Sequence, residues 1–350
     1  MNIPIFSSFI RSFSNDIGID LGTANTLVYI RGKGIVINEP SVVAVNKKTD
    51  QVVAVGRAAK EMLGRTPAHI EAVRPLVDGV ISDFEITHEM ISYLLRKAND
   101  MHPKYFPPRV VVGVPSGITN VEHRAVYDAT KASGAREVYI VEEPMAAALG
   151  VQLPINDAVG SMIVDVGGGT TDIAVLSLGG IVRSKNLRVA GDRLNTDIIN
   201  YMRDEYKLLI GEKTAEDLKI ALGNVIHIEY SEAHVKGRDL LTGLPKEIIV
   251  TDTDIREAII ASVQLLNDAI KEVLETTPPE ILGDIMQRGI VLAGGGALLR
   301  GLPEFIKQEV GINIIVADDP LAAVARGAGL VLEHFELYQH LVSQEDYVQT

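Results

Sequence analysis

The chain contains no cysteine, which excludes a disulfide framework, thiol catalysis and every zinc site built on thiolates. That absence suits a reducing cytoplasm. Its histidines do not compensate: His88 precedes Glu89 without the second histidine of a zinc-protease helix, and His227 and His234 are too far apart for one helical turn. They read as surface or packing residues. No apolar stretch approaches the ~20 residues needed to span a bilayer, so no transmembrane helix is expected. The opening MNIPIFSSFIRSF also lacks the charged region and small-residue cleavage site of a signal peptide. Basic clusters are missing too. With 33 Lys and Arg against 46 Asp and Glu, the net charge is −13, the wrong balance for a nucleic-acid partner.

What is present is enough apolar material, 47% of 350 residues, for two cores or one large α/β unit. The most informative stretch is Gly160–Thr171, GSMIVDVGGGTT. A buried strand ends at Asp165, and Gly167, Gly168 and Gly169 follow, where bare backbone N–H groups can approach an anion. Thr170 and Thr171 add hydroxyl donors. A carboxylate beside bound phosphates suits a hydrated divalent cation. Ile17–Thr26, IGIDLGTANT, has the same layout, with Asp20 followed by Gly22, Thr23, Ala24, Asn25 and Thr26. Both obey D-x-G-x-x-x-T, and each precedes an alternating strand-like run. An Asp-Gly turn alone is ordinary hairpin chemistry, but its repetition marks the chain as internally duplicated. Two such turns, one from each half, could grip one polyphosphate across a cleft.

The remaining segments follow in order. In Met1–Phe13, Ile5 or Phe6, Phe9, Ile10 and Phe13 share one helical face. That amphipathic face either lies in a membrane interface or packs on its own domain. Lys33–Pro67 reads as a small strand-rich insertion, and Thr87–Met101 as an amphipathic helix. Tyr105 and Phe106, between Pro103 and Pro107-Pro108, sit in a rigid turn that is either a second membrane contact or a packed loop. Asn120 is expected to cap a helix with Val121, Ala125, Ala129 and Ala132 on its inner face. Glu143 ends a strand and opens an alanine-rich helix, so it could order an attacking water or be a solvated acid at a helix start. Glu216 and Lys219 share a helical face and could reach a nucleoside or form a surface ion pair. Val225–Val250 reads as a second strand-rich insertion. Gly294, Gly295, Gly296 and Ala297 follow a buried strand and leave room for a flat base or an α-phosphate. The small residues Ala325, Gly327 and Gly329 imply a tight helix contact across a hinge.

Taken together, IDLGTANT (19–26), VEEPMAAALG (141–150), VDVGGGTTD (164–172), GEKTAEDLK (211–219), VLAGGGALLRGL (291–302) and AAVARGAGLVLE (322–333) resemble the actin and sugar-kinase ATPase superfamily. NEPSVVAV, MLGRTP, VRPLVDGVISDFE and VKGRDLLTGLP narrow the likeness to the MreB family of bacterial actin homologues. The resemblance implies an α/β fold of two duplicated ribonuclease-H-like domains, each with a small insertion, around a nucleotide cleft. The expected boundaries are an amphipathic segment at 1–14 and domain I at 15–155, with an insertion at about 33–67 and a C-terminal helix at about 331–350. Domain II follows at 156–330, with an insertion at about 187–252. It further implies ATP and Mg2+, with Glu143 and Thr170 positioning the hydrolytic water and Asp20 and Asp165 holding the metal through water. Gly22, Thr23, Ala24, Asn25, Gly167, Gly168, Gly169 and Thr170 would bind phosphates, while Glu216, Lys219 and Gly294–Ala297 would bind the nucleoside. The family usually carries Glu where this chain has Asp172, so that position receives no catalytic role. The implied activity is slow ATP hydrolysis coupled to self-assembly into antiparallel double protofilaments. These would lie on the inner face of the cytoplasmic membrane with wall-synthesis and rod-shape proteins, and Ile5, Phe6, Phe9, Ile10, Phe13, Tyr105 and Phe106 would contact the lipid. A sugar-kinase phosphotransferase is the alternative; a chaperone ATPase lacks room for a peptide-binding domain after Glu333.

Overall fold

The computed structural model describes residues 14–227 and 230–344, and the chain divides into two compact units. The first comprises Met1–Ala158, Leu176–Ile181 and Leu321–Thr350, and the second Val159–Val175 and Val182–Pro320.

In the first unit, strands β1 (Ile17–Leu21), β2 (Asn25–Ile30) and β3 (Gly34–Pro40) form an antiparallel meander. Strands β4 (Val43–Asn46), β5 (Gln51–Val55) and β6 (Ile70–Val73) make a separate small sheet, and β7 (Leu76–Val77) and β8 (Val80–Ile81) a short hairpin. The later strands β9 (Arg109–Val114) and β10 (Glu137–Glu142) return to the main sheet in parallel, giving the order β10-β9-β1-β2-β3. β9 is buried along its whole length, and its run of Val110, Val111 and Val112 is what a strand covered on both faces requires.

The second unit repeats this winding. Strands β11 (Ser161–Val166), β12 (Thr171–Ser177) and β13 (Gly180–Leu187) come first, then β14 (Leu208–Leu209), β15 (Glu232–Asp239) and β16 (Pro245–Thr251) as a small sheet. Finally β17 (Ile290–Ala293) and β18 (Ile314–Val316) complete the order β13-β12-β11-β17-β18. In both sheets the first strand is central, the next two lie in succession on one side, and two later strands lie on the other. The register repeats as well: Asp20 of β1 lies opposite Gly113 of parallel β9, and Asp165 of β11 opposite Ala293 of parallel β17.

Several boundaries depart from the sequence expectation. The first insertion does not begin near residue 33, because Gly34–Pro40 pairs with β2 in the main sheet, and the small sheet extends to Val73. In the second unit Leu187 still belongs to main-sheet strand β13, and the helix Gly191–Tyr206 buries Ile198 and Met202 in one core with Val164 and Val235. Among the described residues, Leu208, Val235 and Val250 of the insertion share that same core. The helix Asn120–Ala132 is capped by Thr119, whose hydroxyl accepts from Glu122 N while Glu122 accepts from Thr119 N, a reciprocal box. Its inner face is Val126, Ala129 and Thr130, and Val121 is 79% exposed.

The tight helix contact lies inside the first unit. Helix Ala323–Glu333 packs on Glu143–Gly150, and a side chain added at Gly150 would meet Ala323, one added at Gly327 would meet Ala146. The expected helix over 331–350 is absent among the described residues. The Ala323–Glu333 helix stops at His334, and only the short Phe335–Tyr338 and Gln339–Leu341 turns follow before Ser343 exchanges backbone hydrogen bonds with Ile140 of β10. Glu333 is held at that stop by Gly32 N, which donates to it at 2.6 Å. Among the described residues no helix is long and apolar enough to cross a membrane.

Candidate phosphate loops and nucleoside surface

Each central strand delivers its aspartate to the mouth of a glycine turn. In the first unit Gly22–Ala24 links β1 to β2, and a residue outside the motif braces it. Ser41 is fully buried; its hydroxyl donates to Gly22 O at 2.5 Å, its backbone N donates to Ala24 O at 3.0 Å, and Thr26 Oγ1 lies 2.9 Å from its Oγ. Thr23 is also committed, its hydroxyl accepting from Gly79 N of the β7–β8 turn at 3.1 Å. What the loop offers an anion is therefore chiefly backbone. Asp20 lies partly buried behind it, and desolvation raises its carboxyl from 3.8 to about 7.

In the second unit Gly167–Thr170 turns between β11 and β12, with Gly167 N donating to Thr170 O at 2.9 Å. The N-terminus of helix Gly191–Tyr206 docks on this turn: Gly191 N donates to Gly167 O at 3.2 Å and Asp192 N to Gly168 O at 2.8 Å. Lys219 locks the arrangement by donating from Nζ to Gly191 O at 2.8 Å. Thr170 is buried at the end of the turn, while Thr171 turns inward and donates to Val189 O at 2.7 Å. Asp172 is buried as well and accepts from Asn186 Nδ2 at 2.9 Å.

The third loop presses on the second. Gly294 has φ +77, and a Cβ there would collide with the Asp165 carboxylate and the Val166 carbonyl, so only glycine can pass. Asp165 is 8% exposed in this setting. Gly295–Leu298 forms a 3-10 turn, and Arg300 then reaches the end of helix Glu212–Leu222, donating to Ala221 O at 2.6 Å and Gly223 O at 3.1 Å. Those carbonyls are among the orphans of a helix C-terminus. Gly167–Thr170, Gly294–Gly296 and Lys219 thus belong to one braced surface of the second unit, and Glu216 lies one helical turn before Lys219 on the same helix. Sequence reasoning missed the braces themselves. Ser41 and Arg300 stand inside quoted motifs and Gly191 between two of them, yet nothing in their own residue types distinguishes a brace from a turn residue.

Glu143 is the first residue of helix Glu143–Gly150, partly exposed at its positive end, with Pro144 next. The helix follows β10 directly, so backbone continuity places Glu143 at the same edge of the first sheet as Asp20, beside Gly113. Among the described residues no group of three or more His, Cys, Asp or Glu is placed to hold a metal ion. Asp20 and Asp165, each in its own unit, offer oxygen donors of the kind that a hard cation such as magnesium takes alongside waters and phosphate oxygens. Tyr105 is 92% and Phe106 44% exposed, so the Tyr105 ring is not packed in its loop. Ile5, Phe6, Phe9, Ile10 and Phe13 lie outside the described residues.

Twin five-stranded sheets of one winding, each presenting an aspartate and a glycine turn at the end of its central strand, define an actin-like nucleotide-binding fold. The comparisons agree. The model of the MreB/Mbl protein family matches residues 14–340. The cell shape-determining protein Mbl of Bacillus subtilis is 47% identical over 93% of this chain and 97% of its own. Among solved structures, MreB5 of Spiroplasma citri bound to ADP superposes with a TM-score of 0.88 at 38% identity, covering 94% of this chain and 98% of that one. A double helical filament of MamK gives a TM-score of 0.78 at 25% identity over 92% and 99%. The chain belongs to the MreB/Mbl family.

Proposed function

We propose that this protein is an ATP-dependent cytoskeletal filament subunit that acts in cell shape by organising wall synthesis at the cytoplasmic membrane. The observation that carries the reading is the duplicated Asp-plus-glycine turn on two sheets of identical winding, in a family whose Bacillus subtilis member is named for cell shape. The two turns contribute to one nucleotide site. Backbone N–H groups of Gly22–Asn25 and Gly167–Thr170 hold the phosphates, and Lys219, Glu216 and Gly294–Ala297 hold the nucleoside. Asp20 and Asp165 hold magnesium through water; when bound, the ion neutralises charge developing on the phosphates. Glu143 and Thr170 orient the attacking water. This catalysis is positional and electrostatic, and it is slow. Hydrolysis then changes which subunit contacts are favoured, so the nucleotide acts as an assembly switch. Antiparallel double protofilaments, membrane contact through the N-terminal segment and Tyr105-Phe106, and recruitment of wall-synthesis and rod-shape proteins complete the proposal.

Pelleting and light scattering with ATP at rising protein concentration test it. The expected result is assembly above a threshold concentration. A monomer at every concentration, with turnover accelerated by a sugar, would replace the filament reading with a sugar kinase. Lipid contact is tested by co-sedimentation with vesicles of full-length protein and of protein lacking residues 1–13; equal pelleting removes the segment's role.

A further inference from the structure

Helix Asp252–Glu275 of the second unit opens on an aspartate that none of the nucleotide chemistry uses. Asp252 is 1% exposed. Burial alone would raise its carboxyl, yet Ser231 N, Asn224 and Arg256 hold it below the usual carboxylate range. It is therefore an ionised acid in the interior, and such a charge persists only with fixed partners. Ser231 N donates to Oδ1 at 3.3 Å, while Oδ2 lies 3.4 Å from Asn224 Nδ2 and 3.5 Å from Arg256 Nη1. Arg256 makes its shorter bond to Asn224 Oδ1, at 2.9 Å. Asn224 is 3% exposed, and its Nδ2 also donates to Leu222 O at 3.0 Å.

Asn224 stands where the two halves of the proposed nucleoside surface meet. Helix Glu212–Leu222, which carries Glu216 and Lys219, ends as Gly223 N donates to Lys219 O at 2.9 Å. The Gly294–Ala297 turn runs on to Arg300, whose backbone bridges to Asn224. Val225 N donates to Arg300 O at 3.0 Å, and Arg300 returns its guanidinium bonds to Ala221 O and Gly223 O. The seam is tight: a Cβ at Gly301 would collide with Ile226, and one at Gly223 with the Lys219 carbonyl. Through Arg256 and Asp252, Asn224 ties this seam to the start of helix Asp252–Glu275.

We propose that Asn224, held by Arg256 and Asp252, is a positioning residue for the nucleoside, setting the spacing between Lys219 and the Gly294–Ala297 turn without touching the ligand. The inference rests on the proposed nucleotide site and concerns one half of the ligand. The Gly167–Thr170 turn closes on itself through Gly167 N and Thr170 O, and the flexible Lys219 stem keeps its reach to Gly191 through a small shift. Loosening the seam therefore weakens the hold on the nucleoside and spares the phosphates.

Calorimetric titration of the full-length protein with MgADP, and with magnesium tripolyphosphate, which lacks the nucleoside, separates the two. Asn224→Ser withdraws the amide from Arg256 and leaves the Arg256–Asp252 pair in place. Arg256→Lys keeps a cation beside Asp252 but loses the planar donor. Binding must then restore the spacing that the lost bond supplied, so each variant is expected to bind ADP about tenfold more weakly, with tripolyphosphate affinity within about twofold of the parent. In steady-state phosphate release, KM for ATP should rise by a similar factor at unchanged kcat, a split that general loosening of the unit would not give. Equal losses for ADP and tripolyphosphate, or no loss for either, overturn the positioning role and leave the nucleotide site standing. A parent protein that binds tripolyphosphate but not ADP, or binds neither, removes the nucleoside site and this inference with it.

Discussion

One alanine substitution should act with opposite sign in two helices of this protein. At Gly327 an added Cβ would sit 2.8 Å from Ala146 Cα, with the Ala146 carbonyl nearer still, all inside the 3.0 Å that real Cβ atoms keep. Gly150 meets the same helix pair from the other side, its Cβ 2.8 Å from the Ala323 carbonyl carbon. The obstacle is backbone, which cannot rotate aside as a side chain would. Relieving it means parting the helices by ~1 Å, and a gap of that size forfeits up to about half the dispersion well of each contact along the interface. Overpacking of this kind costs ~1–3 kcal/mol or more, against ~1 kcal/mol regained because alanine is the better helix former. Because the obstacle is backbone the cost falls at the upper end of that range, and Gly327→Ala should therefore destabilise the first unit by roughly 2 kcal/mol or more. Gly283, in helix Pro279–Arg288, has nothing within 4 Å of its would-be Cβ, so Gly283→Ala should stabilise by ~0.5–1 kcal/mol. Guanidinium melts of nucleotide-free protein measure both, with near- and far-UV signals fitted separately because two units need not unfold together. Equal shifts of the same sign would refute the argument that the close approach of these helices demands glycine.

Glu143→Ala should abolish phosphate release while fluorescent ATP analogues still bind; normal turnover removes Glu143 from catalysis. Lys219→Met takes away the ammonium that holds Gly191 against the second glycine turn, a charged hydrogen bond worth ~1.5–3 kcal/mol, and nucleotide affinity should fall about tenfold or more by titration. Unchanged affinity would show that the turn keeps its shape without the brace. The Asp20 carboxyl is raised from 3.8 to about 7 by burial, so between those values the folded chain holds a proton that the unfolded chain has released. Stability of the nucleotide- and metal-free protein should thus fall as pH rises from 4 to 7 and level off above. Urea melts at pH 5 and 7.5 should differ less in Asp20→Asn than in the parent; an identical difference places the titration elsewhere.

Glycine turns at strand ends, the two aspartates and the alanine-rich helix were legible because each is written in contiguous residues. A strand of valines and isoleucines ending in Asp-x-Gly carries its burial, its end and its chemistry in a dozen positions. The duplicated winding was legible for the same reason, as two copies of one local pattern. What the sequence could not assign was membership. Gly34–Pro40 and Val43–Asn46 alternate alike, yet one pairs into the main sheet and the other founds the insertion, since period-two patterning records a buried face and not the partner that buries it. Helix Ala323–Glu333 shows the same limit, its small residues announcing a close contact without saying with which unit.

The braces are the clearest case. Ser41, Gly191 and Arg300 stabilise loops far from them in sequence, through hydrogen bonds to backbone carbonyls that every residue possesses, so no residue-type signal marks the acceptor. Local chemistry, set by side-chain identity and strand period, was fixed by the sequence alone. Which carbonyl each brace reaches, which helix leaves room only for hydrogen, and which charged pair holds Asn224 were decided by the tertiary structure, because each depends on segments brought together only by packing.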